Sequence, residues 1–393
     1  LPQEIFVSAP RIFISAGEAS SEMYGARLAR ALRERTGAEL FGMGGPRMAE
    51  AGVELVADYH EVAVVGVAEV LHKIPTVIGV QRRLAREAAK RRPQLAILID
   101  SPGTHLGTGR RIRNLGIPVG YFIGPQVWAW RPGRVRVIKR LVERMVVIFP
   151  FEEKIYRDAG VPVDFVGHPL VDVVKASATR AEFAARHGLD AARPIVTLLP
   201  GSRRGEIERN FPTVLEACER VAGAMPGVQF VHAAAPGLSE DFLARYARQG
   251  LAITRVTGAT YDALAAADCA IVASGTATVE AALLGTPMVV VYRVAAATAM
   301  VMRFLLRTPY IGMVNLIAGR MVARELVQDK FTAEAVAGEV ERMLSSPAAR
   351  EEMKTALAEV RAKLGPGGAI ERAADVFARM LPAAFPRTGR AGN

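Results

Sequence analysis

With 393 residues, 51% of them hydrophobic and 23% charged, the chain is too long for one small core and too apolar for a disordered polymer. Its two cysteines, Cys218 and Cys269, form no pairing pattern, which argues against a disulfide scaffold and a Cys-based zinc site and fits a reducing cytoplasm. Fifty Lys and Arg against 39 Asp and Glu leave a formal charge of +11, which favours anionic partners: a nucleotide, a nucleic acid or an acidic membrane face.

In chain order, the first half reads as strands at 11–18 (RIFISAGE), 38–45 (AELFGMGG), 95–102 (LAILIDSP), 119–126 (VGYFIGPQ), 144–150 (RMVVIFP) and 163–169 (VDFVGHP). Helical patterns fall at 20–37 and 131–145. The second half restarts the alternation with strands at 194–202, 228–235, 251–258, 269–276 and 286–294. Continuous apolar strands separated by helices are parallel strands covered on both faces. The prediction is an α/β protein: two tandem doubly wound Rossmann-like domains with a cleft between them and a helical C-terminus. The domains span 1–170 and 171–345, divided within the polar stretch 169–193. Residues 346–393 are expected to form C-terminal helices packing back on the first domain, with 385–393 frayed. No apolar run is long enough to span a bilayer and no signal peptide is visible, so a membrane would be met from its surface.

Ligands of such sheets bind beyond the carboxyl ends of the strands, so the residues that follow strands are the candidates. Gly17 follows the first strand, with Glu18 beside it and Ser20 or Ser21 placed to cap the next helix. This turn is not GxGxxG, so no dinucleotide cofactor is expected, but it suits a sugar or acceptor. Residues 64–92 mix apolar and basic side chains, as does 298–320, and either stretch suits an anionic membrane or an ordinary solvated helix. Asp100 ends a strongly apolar strand, where a carboxylate can take a proton from an attacking hydroxyl or simply cap the next turn. Trp128 and Trp130 are core filler or a sugar-stacking pair, followed by Arg131, Arg134 and Arg136.

In the second half, Gly201 lets a ligand approach the backbone, and Ser202 opens a helix whose free N–H groups favour a phosphate. Arg203 or Arg204 can clamp phosphate oxygens, and Glu206 can hold Ser202 or the arginines. Ser274, Gly275 and Thr276 form a second small turn before a helix. Glu280, one helical turn past Thr276, can accept two hydrogen bonds from a ribose diol. Surface turns without a ligand remain the alternative at each place, but two anion-ready turns beside a carboxylate favour a nucleotide diphosphate. Six scattered histidines show no metal-ligand spacing, so no metal is expected.

The ordered landmarks SAGEAS, GMGGPRM, VVGVAEVL, IDSP, PQVWAWR, PFEEKIY, FVGHPLVD, LLPGSRRGEI, ASGTATVEAAL and NLIAGR run over nearly the whole chain. In this order they resemble the lipid-A-disaccharide synthases, metal-independent inverting glycosyltransferases of the GT-B type. The resemblance implies transfer of 2,3-diacylglucosamine from its UDP donor to the 6-hydroxyl of 2,3-diacylglucosamine 1-phosphate (lipid X). It makes Asp100 a candidate general base or essential polar residue, Arg203 a candidate diphosphate ligand and Glu280 a ribose ligand, and it places Asn315 and Arg320 along the cleft. It also implies a peripheral protein on the inner face of the cytoplasmic membrane, with no cofactor and no nucleic acid partner; homo-oligomerisation stays open. Two departures stand out: Ser21-Glu22 where the family usually has Gly-Asp, and Gly103-Thr104-His105 where it usually has Asp-Phe-Asn. The alternatives are another UDP-N-acetylglucosamine enzyme of this architecture, such as a transferase or a 2-epimerase using His105 and His168, and a non-catalytic lipid- or nucleotide-binding relative. A nucleic-acid binder fits the charge but lacks interleaved aromatic residues.

Overall fold

A computed structural model describes residues 9–62, 67–125, 127, 133–295, 299 and 308–382. The chain forms two compact units, Leu1–Pro169 with Pro366–Asn393, and Leu170–Gly365. Trp128, Trp130, Arg131 and the tail 385–393 lie outside the described residues.

Unit one is a seven-stranded sheet built from β1 (Arg11–Ala16), β2 (Glu39–Gly44), β3 (Val53–Asp58), β4 (Leu95–Ile99), β5 (Val119–Phe122), β6 (Arg144–Val147) and β7 (Val163–Phe165). Its order is β3-β2-β1-β4-β5-β6-β7, and the pairings are parallel. Unit two has six parallel strands: β8 (Ile195–Leu199), β9 (Gln229–Ala234), β10 (Ile253–Thr257), β11 (Cys269–Ala273), β12 (Met288–Tyr292) and β13 (Glu325–Val327). Their order is β10-β9-β8-β11-β12-β13. Every residue of β4, β8 and β11 is buried, as uninterrupted apolar runs flanked by helices require. The strand reading passed over β3 and β13. Both are edge strands with half-exposed positions, so neither presents a continuous apolar run.

The helix Ala19–Thr36 buries Leu28, Ala29 and Leu32 on one face, the stripe expected of an amphipathic helix on a sheet. Against it packs the last described helix, Ala369–Arg379, with Arg35 donating to Glu371 and Asp375 at 2.7 and 2.6 Å. Residues 346–393 therefore divide. The helix Pro347–Lys363 packs on Thr276–Leu283 and other helices of unit two, whereas Ala369–Arg379 belongs to unit one. In both sheets the strand order reverses direction once, between β1 and β4 and between β8 and β11. Helices leaving such a pair diverge to opposite faces and open a crevice at the carboxyl ends.

Candidate functional site

The two switch points gather most of the candidates. In unit one Ala16 is paired with Ile99, so the turns that follow, 17–18 and 100–101, lie side by side. Their approach is close: a Cβ on Gly17 would stand 2.7 Å from both Cβ and Oγ of Ser101. Glu18 and Ser20 are exposed at the start of the helix Ala19–Thr36. Ser21 does the capping, its Oγ accepting from Glu18 N–H at 3.0 Å and donating to Glu18 O at 2.9 Å. Glu22 accepts from Met48 N–H at 3.0 Å. The Ser21-Glu22 departure is thus buried scaffolding under the turn.

Asp100 is half-buried, and burial together with the charge of Glu18 pushes its carboxyl from the ordinary 3.8 up to about 6, against a smaller opposing hydrogen bond from the Ser101 amide. A carboxylate titrating there is ionised at neutral pH and basic enough to accept a proton. Behind it lie three side chains that are 0% exposed: Ser15, His105 and Tyr121. Sequence reasoning did not connect them to Asp100. Burial lowers His105 to about 4 and His168 to about 3, so both imidazoles are neutral. His105 also has both ring nitrogens engaged within the fold, by Asp100 O and Ser15 Oγ.

In unit two Leu199 is paired with Val272, which sets the turns 200–203 and 274–275 side by side. Gly201 has φ +147, and a Cβ there would collide with Cβ of Glu206. The carboxylate of Glu206 fills the turn, accepting from Ser202 N–H at 2.9 Å, Arg203 N–H at 3.3 Å and the Arg203 guanidinium at 3.3 Å. The amides expected to face a phosphate are therefore capped from within. Of the two arginines, Arg204 lies over the Phe242 ring at 4.7 Å, while Arg203 is 68% exposed. Asn210 holds this turn against the end of β12: its amide donates to Pro200 O at 2.8 Å and accepts from Arg293 N–H at 3.0 Å.

The second turn is more open. Ser274 Oγ donates to Ile311 O at 3.1 Å, which anchors the loop behind. Gly275 (φ +153) and Thr276 are exposed at the N-terminus of the helix Thr276–Leu283, with no atom within 4 Å of where a Gly275 Cβ would be. Deeper in that helix Glu280 accepts from the Tyr261 hydroxyl through Oε1 at 3.2 Å, and burial raises its pKa. Its other carboxylate oxygen has no hydrogen-bond partner among the described residues. Tyr261 was missed because it sits on another helix, Thr260–Ala266.

The remaining candidates differ. Asn315 is 0% exposed, with its amide bound to Ala323 O, Glu325 and the N–H groups of Val322 and Ala323. It closes the loop 315–325 and has no polar atom left for a ligand. Arg320 is exposed and paired with Glu359 at 2.9 Å. Trp128 lies outside the described residues. A cavity of about 950 Å³ lies at the amino ends of β1–β3, away from these turns, and among its lining charges Arg11 pairs with Glu39 and Arg91 with Glu54.

Comparison with known proteins agrees with the motif order. The family model described as lipid-A-disaccharide synthetase matches residues 12–374. The lipid-A-disaccharide synthase of Myxococcus xanthus is 45% identical over 375 residues, covering 95% of this chain and 98% of that protein. That of Geobacter sulfurreducens is 45% identical over 373 residues, covering 94% and 97%. Among solved structures, the Staphylococcus aureus MnaA–UDP complex superposes with a TM-score of 0.65 at 11% identity, covering 96% of this chain and 100% of that one, a likeness of fold alone. With that fold, and with sequence matches spanning both sheets and their switch-point turns, the chain belongs to the lipid-A-disaccharide synthase family of glycosyltransferases.

Proposed function

We propose that the chain transfers 2,3-diacylglucosamine from its UDP donor to the 6-hydroxyl of 2,3-diacylglucosamine 1-phosphate, releasing UDP and the β-1,6-linked disaccharide 1-phosphate. The observation that carries this reading is the half-buried carboxylate of Asp100, with its pKa near 6, at the β1/β4 switch point. The acceptor oxygen attacks C1 of the donor sugar from the face opposite UDP. Its proton passes to Asp100, and the C1–O electron pair leaves with the diphosphate. Direct displacement inverts the anomeric centre. Arg203 and the helix end at Gly275–Thr276 stabilise the charge that develops on the diphosphate. The free oxygen of Glu280 accepts from the ribose, with Tyr261 fixing the carboxylate. Incubation with both lipid substrates, followed by mass spectrometry of the product, tests the assignment. Epimerised UDP-sugar with no disaccharide would overturn it.

Arg203→Ala is expected to weaken UDP binding by roughly 1.5–3 kcal/mol, the worth of a charge-assisted contact. Calorimetric titration measures this, and an unchanged Kd would remove Arg203 from the site.

The lipid substrates imply docking on the inner face of the cytoplasmic membrane. Among the described residues no helix is long and apolar enough to cross one. A groove of about 530 Å³ between the helices Pro102–Arg113 and Arg134–Leu141 supports surface docking. Leu106, Val137 and Leu141 line it, under Arg110, Arg136 and Arg140, which form no ion pair among the described residues. Each such cation is worth about 1 kcal/mol near an anionic surface. Arg136→Glu combined with Arg140→Glu is expected to lower sedimentation with phosphatidylglycerol vesicles at least tenfold. Equal sedimentation would place docking elsewhere.

A further inference from the structure

Asp100 and Ser101 are consecutive non-glycine residues in the left-handed region, with φ +50 and +49. Such a pair persists only where the surroundings over-determine it. The structure shows what does so. The carbonyl of Asp100 accepts two hydrogen bonds, from the Tyr121 hydroxyl at 2.6 Å and from His105 Nδ1 at 2.8 Å, so both its lone pairs are used. A carbonyl can only accept, which places the proton of His105 on Nδ1. Nε2 is then the acceptor for Ser15 Oγ, 2.8 Å away on β1. The chain of bonds runs from β1 through the helix Pro102–Arg113 to the end of β4 and on to β5, and its three side chains are 0% exposed. The remaining Asp100 backbone group, its N–H, donates to Phe122 O at 3.0 Å.

We propose that His105 and Tyr121 are positioning residues that clamp the Asp100 carbonyl from two sides and thereby set the direction in which its carboxylate leaves the strand. The proposal rests on the reading of Asp100 as the base. Neither residue has a free polar atom to touch substrate, so both act through Asp100. The His105 ring reaches the Asp100 carbonyl and Ser15 at once.

A double-mutant cycle tests this, using His105→Phe, His105→Asn, Tyr121→Phe and Asp100→Asn with purified full-length protein and both lipid substrates. His105→Phe keeps the ring volume and removes both bonds. It is expected to lower kcat roughly 10–100-fold, as a displaced catalytic group does, with the KM for the UDP donor within about twofold. Tyr121→Phe is expected to lower kcat about tenfold, and His105→Asn to recover most of the His105→Phe loss. In the Asp100→Asn background, His105→Phe should change kcat by less than about twofold, because the group it positions is gone. A loss that multiplies with that of Asp100→Asn, or an unchanged kcat in both His105→Phe and Tyr121→Phe, overturns the positioning role and leaves the base assignment standing. Wild-type kcat in Asp100→Asn overturns the base and the clamp together. Should His105→Phe not fold, Tyr121→Phe, which loses a single oxygen atom, carries the same cycle.

Discussion

Asp100→Asn is expected to lower kcat by roughly 10²–10⁴-fold, the usual contribution of a general base, while UDP binds as before. Asn tolerates the left-handed backbone at least as well as Asp, so the fold should survive the exchange. In the parent enzyme kcat/KM should fall as the pH drops below about 6, where the carboxyl becomes protonated. That limb should vanish from the residual rate of the variant. Stability should move the other way. The folded carboxyl titrates near 6 and the unfolded one near 3.8, so the folded state holds its proton more tightly. Asp100 thus contributes stability that is fully present below pH 3.8 and is lost as the pH rises through about 6. At pH 7.5 Asp100→Asn should therefore be more stable, by on the order of 1–3 kcal/mol. Denaturant melts at pH 4 and pH 7.5 would show the gain only at the higher pH. A variant equally stable to the parent at both would mean that the carboxyl is not desolvated.

Gly201→Ala has the second large expected effect. The left-handed φ of +147 is strained for any residue with a Cβ, and the added atom meets Glu206. Relief requires the turn to open, which breaks the bonds from Ser202 N–H and Arg203 N–H to that carboxylate and moves the Arg203 side chain. Strain of this kind costs about 1–3 kcal/mol, so UDP affinity should drop by roughly one to two orders of magnitude, with a smaller loss of global stability. Calorimetry with UDP separates the two effects. An alanine variant that binds UDP normally would show that the shape of this turn does not matter to the ligand.

Glu206 marks where the sequence was readable and where it was not. Its position in the first helical turn was enough to anticipate that it holds Ser202 or one of the arginines. That it would occupy the amides offered to a phosphate follows only from the collision-free space at Gly201, a three-dimensional fact. The same holds for the two arginines. The sequence RR left them equivalent, and Phe242, nearly forty residues on, separates them by stacking on Arg204. Asn315 looked like a cleft residue because its motif matched the family; burial and four backbone or side-chain partners turn it into a loop clasp.

Two sheets of parallel strands, their helical cover and the turns that end β1, β4, β8 and β11 were determined by the sequence alone. Long apolar runs broken by Gly, Ser and Asp are local signals, and parallel topology follows from them with little choice. The tertiary structure decided which donors in those turns stay free, that Tyr121 and His105 grip Asp100, that Tyr261 steadies Glu280, and that the helix Ala369–Arg379 returns to unit one. Each of these depends on groups brought together from distant parts of the chain, where packing and hydrogen-bond geometry, rather than any local pattern, select the partner.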